Sequence, residues 1–128
     1  MDLHPELALG YAALGDVQLR AGHPQEAIPW FRQAVARDPV AAKTRLGLAT
    51  ALTQAGHPED AIEHFEAALR LDPDNVTARA NFAIALAQTG RFAEAIGHLE
   101  RALALEPGNA ALQQNLALIR LRAREAGR

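Results

Sequence analysis

The chain has 128 residues and a formal net charge of -2, with 13 Lys and Arg against 15 Asp and Glu. That length suits one domain, and so even a balance gives no reason to expect nucleic acid or an anionic membrane as partner. There is no cysteine, which excludes disulfides and thiolate metal sites, and no stretch approaches the ~20 apolar residues of a membrane span.

Residues 1–7 read as a short lead-in, with Pro5 placed as a first-turn helix proline whose missing N–H does no harm. A helix is predicted from about Glu6 to Ala21, with Leu7, Tyr11, Leu14, Gly15 and Gln18 on its inner stripe. Gly22-His23-Pro24 ends it and starts the next, because Gly accepts a left-handed conformation and Pro suits a first turn. The second helix, about Pro24 to Arg37, carries Ala27, Ile28, Phe31, Ala34 and Val35 on one face. Pro29 lies about one turn inside it. A lost backbone bond and a ring crowding the previous turn predict a kink or a late start there.

The pattern then recurs. Gly22, Gly56 and Gly90 are spaced by 34 residues, as are Ala27, Ala61 and Ala95, Ala34, Ala68 and Ala102, and Pro39, Pro73 and Pro107. So many columns at one period make this a repeat protein. Leu48, Ala49, Leu52 and Ala55 form the inner stripe of the next first helix, and Phe82, Ala83, Leu86 and Ala87 that of the third. Asn75 and Asn109 stand where a side chain caps a new helix. Connections of a few residues make successive helices antiparallel neighbours. Residues 110–128 resemble one more first helix without its mate. Arg120 stands where earlier units have Leu52 and Leu86, and Arg120, Arg122, Arg124 and Arg128 suit the negative end of the helix dipole.

In these columns the chain resembles the tetratricopeptide repeat, whose pattern is an aromatic, Leu-Gly, a second aromatic, Ala-x-x-x-Phe and a closing Pro. Tyr11, Leu14-Gly15, Gln18, Ala27, Phe31 and Pro39 carry it first. Arg45, Leu48-Ala49, Leu52, Ala61, Phe65 and Pro73 carry it next, then Arg79, Phe82-Ala83, Leu86, Ala95, Leu99 and Pro107. The resemblance implies an all-α, right-handed α-solenoid of three helical pairs, at residues 8–41, 42–75 and 76–109, closed by a capping helix at 110–128. It also implies a non-catalytic protein–protein interaction scaffold, with first helices lining a concave groove.

The groove residues follow from helix geometry. A residue two places beyond an inward one lies about 200° around the helix. The expected peptide-binding set is Asp16, Arg20, Lys43, Leu46, Thr50, Thr77, Asn81, Ile84, Gln88, Gln114, Asn115 and Leu118, with Leu9, Ala12, Ala13 and Gly47 on the same face. Such a mixture of small, apolar and amide side chains suits an extended peptide or an apolar helix. Asp16 stands against Arg20, Lys43 and Arg122, so the groove leans positive and its ligand is expected to carry an acidic group.

The resemblance narrows this further. Chaperone-binding members hold a terminal carboxylate with a clamp of Lys, Asn and Arg. The matching places here are Ala12, Asp16, Gly47, Thr77 and Asn81, and only Asn81 offers a donor amide. The recognition arm of O-GlcNAc transferases bears an asparagine ladder. Asn81 and Asn115 match two rungs while Ala13 and Gly47 break it, so an arm of a larger glycosyltransferase is the alternative reading. A third is self-assembly through the solenoid ends, where Leu9, Leu19, Leu118 and Leu121 would be exposed.

No residue set calls for a cofactor or a metal. His23 and His57, like His64 and His98, lie one repeat apart, too far to share an ion. The chain has no serine, no Gly-rich phosphate loop and no H-E-x-x-H, so no nucleophile–base pair is visible and no enzyme activity is expected. Trp30, the only tryptophan, is a partly buried filler or an anchor for another chain, since His64 and His98 occupy its equivalent places. Without a secretion signal after Met1, the expected location is cytoplasmic.

Overall fold

A computed structural model describes residues 5–127. They form seven helices: α1 (Pro5–Arg20), α2 (Pro24–Arg37), α3 (Ala42–Gln54), α4 (Pro58–Leu71), α5 (Val76–Gln88), α6 (Phe92–Leu105) and α7 (Ala110–Ala126). The chain divides into two compact units, one ending at Asp72 and holding α1–α4, the other beginning at Pro73 and holding α5–α7. In the first unit α1 packs on α2, α2 on α3 and α3 on α4; in the second, α5 packs on α6 and α6 on α7. Residues 1–4 of the expected lead-in, and the charge expected at Arg128, lie outside the described residues.

The helix boundaries follow from turn chemistry. Gly22, Gly56 and Gly90 have φ of 84°, 91° and 83°, which disfavours any residue with a Cβ. Each lets the chain fold back so that the following amide reaches a carbonyl of the last turn: His23 to Gln18, His57 to Leu52 and Arg91 to Leu86, at 2.8, 2.8 and 2.9 Å. Asn75 and Asn109 accept from the amides of Ala78 and Leu112 at 2.9 and 3.2 Å, the capping bonds expected of them.

Two local expectations need correcting. α2 starts at Pro24 and runs through Pro29, so no late start occurs. Ala27, Ile28, Phe31 and Ala34 are buried along one face, while Pro29 and Gln25, whose carbonyl would have taken the missing bond, are exposed to water. Among the described side-chain positions of α1 the buried residues are Ala8 and Gly15, whereas Leu7 and Leu14 are 42% and 46% exposed. Leu48, one period after Leu14, is 1% exposed because α2 lies against α3. No described helix precedes α1 to cover Leu14 in the same way.

Two packing devices organise the first unit. The Phe31 ring of α2 is wedged between α1 and α3 at two glycines. A Cβ at Gly15 would come within 2.9 Å of that ring, and a Cβ at Gly47 within 2.6 Å. The second device joins each first helix to its mate. Tyr11 stacks on Trp30 with ring centroids 5.9 Å apart, and the Arg37 guanidinium lies 4.8 Å over the Tyr11 ring. One period on, Arg45 donates from Nη1 to His64 Nδ1 at 3.0 Å and from Nε to the Pro39 carbonyl at 3.1 Å. The second unit repeats this: Arg79 reaches His98 Nδ1 at 3.0 Å and the Pro73 carbonyl at 3.1 and 2.8 Å. An aromatic stack has been exchanged for an arginine–histidine staple at equivalent places. Because Nδ1 accepts, each ring is neutral with its proton on Nε2.

Burial lowers the pKa of both histidines below the usual value; Arg45 and Arg32 add to this at His64, partly offset by Glu63, and Arg79 and Arg101 add to it at His98. A folded-state pKa below the unfolded one gives stability that is present above pH ~6.5 and lost as pH falls toward and through the folded value. Denaturation midpoints should therefore drop between pH ~7.5 and ~5, and His64→Leu/His98→Leu should flatten that slope. Equal slopes for the two proteins would show that the staples do not carry it.

The wedge predicts opposite signs for two chemically identical changes. Gly97 lies within α6 with nothing inside 4 Å of a built Cβ, so Gly97→Ala should raise stability by ~0.4–1 kcal/mol through helix propensity. Gly47→Ala gains the same propensity but meets the Phe31 ring, and overpacking of ~1–3 kcal/mol should outweigh it. Urea unfolding of both variants decides the matter. A stabilised Gly47→Ala would mean that the ring yields freely.

Candidate peptide-binding cleft

Small residues on α1 and α3 open a cleft of about 340 Å³ in the first unit. Leu9, Ala12 and Ala13 form its α1 wall, and Gly47, Thr44 and the incoming Ala41 form its α3 side. Phe31 lies beneath, held there by the contact that Gly47 permits. The walls are largely apolar, and the two charged residues along the lining, Asp16 and Lys43, have opposite signs. Asp16 binds Arg20 one helical turn later, Oδ2 to Nε at 3.0 Å. Arg20 itself does not line the cleft, so Lys43, exposed on α3, is its cationic lining residue.

The cleft brings together two of the expected contact residues, Asp16 and Lys43, with four others of the same face, Leu9, Ala12, Ala13 and Gly47. Arg20, Leu46 and Thr50 do not line it. Leu46 and Thr50 are half-buried on α3. The sequence pattern put Phe31 on the inner face of α2 and did not single out Thr44, and both prove to be lining residues. The signal for Phe31 was Gly47, whose missing side chain leaves the ring beside the cleft. In the second unit Thr77, Asn81, Ile84 and Gln88 follow one another along one face of α5 at 3–4 spacing. Thr77, Ile84 and Gln88 are exposed and Asn81 half-buried. On α7, Gln114 and Leu118 are exposed and Asn115 half-buried.

Trp30 is half-buried on its Tyr11 stack beside Gln18, Glu26, Pro29 and Gln33, away from the cleft-lining residues. His64 and His98 are occupied by their arginine contacts. None of the described helices is long and apolar enough to cross a membrane.

Comparison with known proteins agrees with this architecture. The chain is similar to the first tetratricopeptide domain of human RPAP3, with a TM-score of 0.87 and 23% identity over 94% of this chain and 95% of that one. It is similar to the second such domain of human RPAP3, solved in complex with the HSP70 peptide SGPTIEEVD, at TM-score 0.84 and 26% identity over 91% and 98% of the two chains. It is also similar to the Yersinia enterocolitica type III secretion chaperone SycD, solved in complex with a peptide of the translocator YopD, at TM-score 0.78 and 22% identity over 88% and 92%. No curated protein matches the sequence. The tetratricopeptide repeat profile matches residues 12–76, 46–110 and 80–128, each match starting one repeat after the last. With that coverage, and with its described residues built wholly of helices, the chain belongs to the tetratricopeptide repeat family, an all-α solenoid fold.

Proposed function

We propose that this chain is a non-catalytic interaction module that takes an apolar side chain of a partner peptide or helix into the α1–α3 cleft. The observation that carries the reading is the cleft itself: small and apolar walls, a phenyl floor and one exposed lysine on its rim. An apolar group entering it is favoured by the area it removes from water, while Lys43 favours a neighbouring acidic residue. The peptide complexes solved for RPAP3 and SycD support a peptide as the class of ligand.

The lining also weighs against two narrower readings. Ala12, Asp16 and Gly47 stand at places where chaperone-binding relatives would bear donors for a terminal carboxylate, and Asp16 would repel one. A ligand with an internal acidic residue fits better than a carboxylate terminus. Ala13 and Gly47, where an asparagine ladder would continue, are walls of the apolar cleft instead, so a backbone-gripping enzyme arm has little support. In the second unit, taken by itself, Asn81 and Asn115 would offer amide contacts to a peptide backbone.

Panning a random-peptide display library on the whole chain should enrich sequences with a bulky apolar residue next to Asp or Glu. Ala12→Trp, which fills the cleft, should abolish their binding, and Lys43→Glu should weaken it about tenfold, equivalent to ~1.4 kcal/mol. For a peptide held by the second unit, Asn81→Ala and Asn115→Ala should each cost ~0.5–1.5 kcal/mol of binding without unfolding the chain. Enriched peptides that bind the Ala12→Trp protein as well as the original would place recognition elsewhere and end this reading.

A further inference from the structure

The face of α1 that carries Leu14 holds a second surface, separate from the cleft. Leu7, Gly10, Leu14, Val17 and the following Ala21 succeed one another at intervals of three and four residues, and all five are exposed. Leu7, Leu14 and Val17 are 42%, 46% and 62% exposed. The equivalent residues of α3 include Leu48 and Ala51, both buried where α2 meets α3. α1 therefore presents, open to water, the kind of face that its own fold elsewhere covers with a helix. No residue of the row is charged.

Its spacing is that of the a and d positions of a two-helix seam. If two copies of α1 lie antiparallel about a two-fold axis beside residue 12, Leu7 of one meets Val17 of the other, and Leu14 meets Gly10. Gly10 has nothing within 4 Å of a built Cβ, so it offers an open notch for the partner's leucine. The flanking charges agree with this register and not with a parallel one. Glu6 and Arg20, both exposed, occupy equivalent flanking positions near opposite ends of α1, and the antiparallel pairing sets Glu6 of each copy against Arg20 of the other. Arg20 keeps Asp16 beside it while its side chain stays 77% exposed. Head-to-tail stacking fits less well. One exposed row of α7 is Gln113, Ala117 and Arg120, polar but for its alanine, and Arg120 is tied to Glu100 of α6 at 3.1 Å.

We infer that this chain forms a two-fold homodimer through antiparallel packing of α1 on the α1 of a second copy, with Leu14 of each seated at Gly10 of the other. The contact is isologous and closes on itself, so it yields a dimer and not a filament. It leaves the row of small cleft residues on the adjoining face of α1.

Sedimentation velocity over a concentration series tests this. The whole chain should pass from monomer to dimer around a midpoint on the order of 10 µM. Leu14→Glu should be monomeric throughout with unchanged helicity, since Leu14 is open to water. Glu6→Arg should weaken the dimer about fivefold, and adding Arg20→Glu should restore it. The chain has no cysteine, so single cysteines report the register. Ala13→Cys, near the axis, should cross-link under mild oxidation, and Leu7→Cys should not. A monomer at every concentration would overturn the proposal and leave the face to a helix of another protein. A dimer indifferent to Leu14→Glu, or cross-linked at Leu7 and not at Ala13, would overturn it equally.

Discussion

The first unit depends on how closely two first helices can approach with a phenyl ring between them. Phe31 sits 2.9 Å from where Gly15 would place a Cβ and 2.6 Å from where Gly47 would. Interiors are packed at crystal density, so a ring at that position tolerates no methyl on either side. The wedge also explains the cleft. A side chain at Gly47 would stand over the ring, whereas its absence, together with Ala12 and Ala13, leaves about 340 Å³ open beside it. Packing and recognition meet in one residue: the glycine that lets α2 enter the core also exposes the floor of the proposed site.

The staples between the two helices of a pair show how different chemistry fills equivalent space. Tyr11 and Trp30 meet through their faces, with Arg37 over the tyrosine. Arg45 with His64, and Arg79 with His98, meet through one charge-assisted hydrogen bond, and each arginine also donates to a proline carbonyl, that of Pro39 or Pro73. Arg79 is buried, so its guanidinium must be satisfied, and the Pro73 carbonyl and the imidazole nitrogen satisfy it. The aromatic version contains no imidazole. The histidine version holds only while the ring is neutral, which ties two of the three helical pairs to the same titration.

The outer faces of the end helices differ because their residues differ. α7 carries Gln113, Ala117 and Arg120 where a following pair would pack, and Arg120 is ion-paired to Glu100. That is a surface suited to water. α1 carries Leu7, Leu14 and Val17 on its outward side. Self-assembly read from the sequence alone pointed to Leu9, Leu19, Leu118 and Leu121; Leu9, Leu118 and Leu121 are exposed, while Leu19 is half-buried and Leu9 lines the cleft. The exposed row lies elsewhere on the helix, because the side of α1 that α2 covers differs from the side that a preceding helix would cover.

The period of the chain determined the helices, their turns and their caps by itself. Positive φ at Gly22, Gly56 and Gly90 and the capping bonds of Asn75 and Asn109 are local matters, settled by which residues can adopt those conformations. The sequence also placed Asp16 and Lys43 on one face, since helix geometry fixes direction within a turn or two. It could not say that Leu46 and Thr50 would stay outside the cleft, because that outcome depends on how α1 and α3 approach across Phe31. It likewise read Leu14 as inward, from the positions where Leu48 and Phe82 recur. Only the tertiary structure decided otherwise: burial belongs to a pair of surfaces, and Leu14 has the pattern of a core residue without the helix that would bury it.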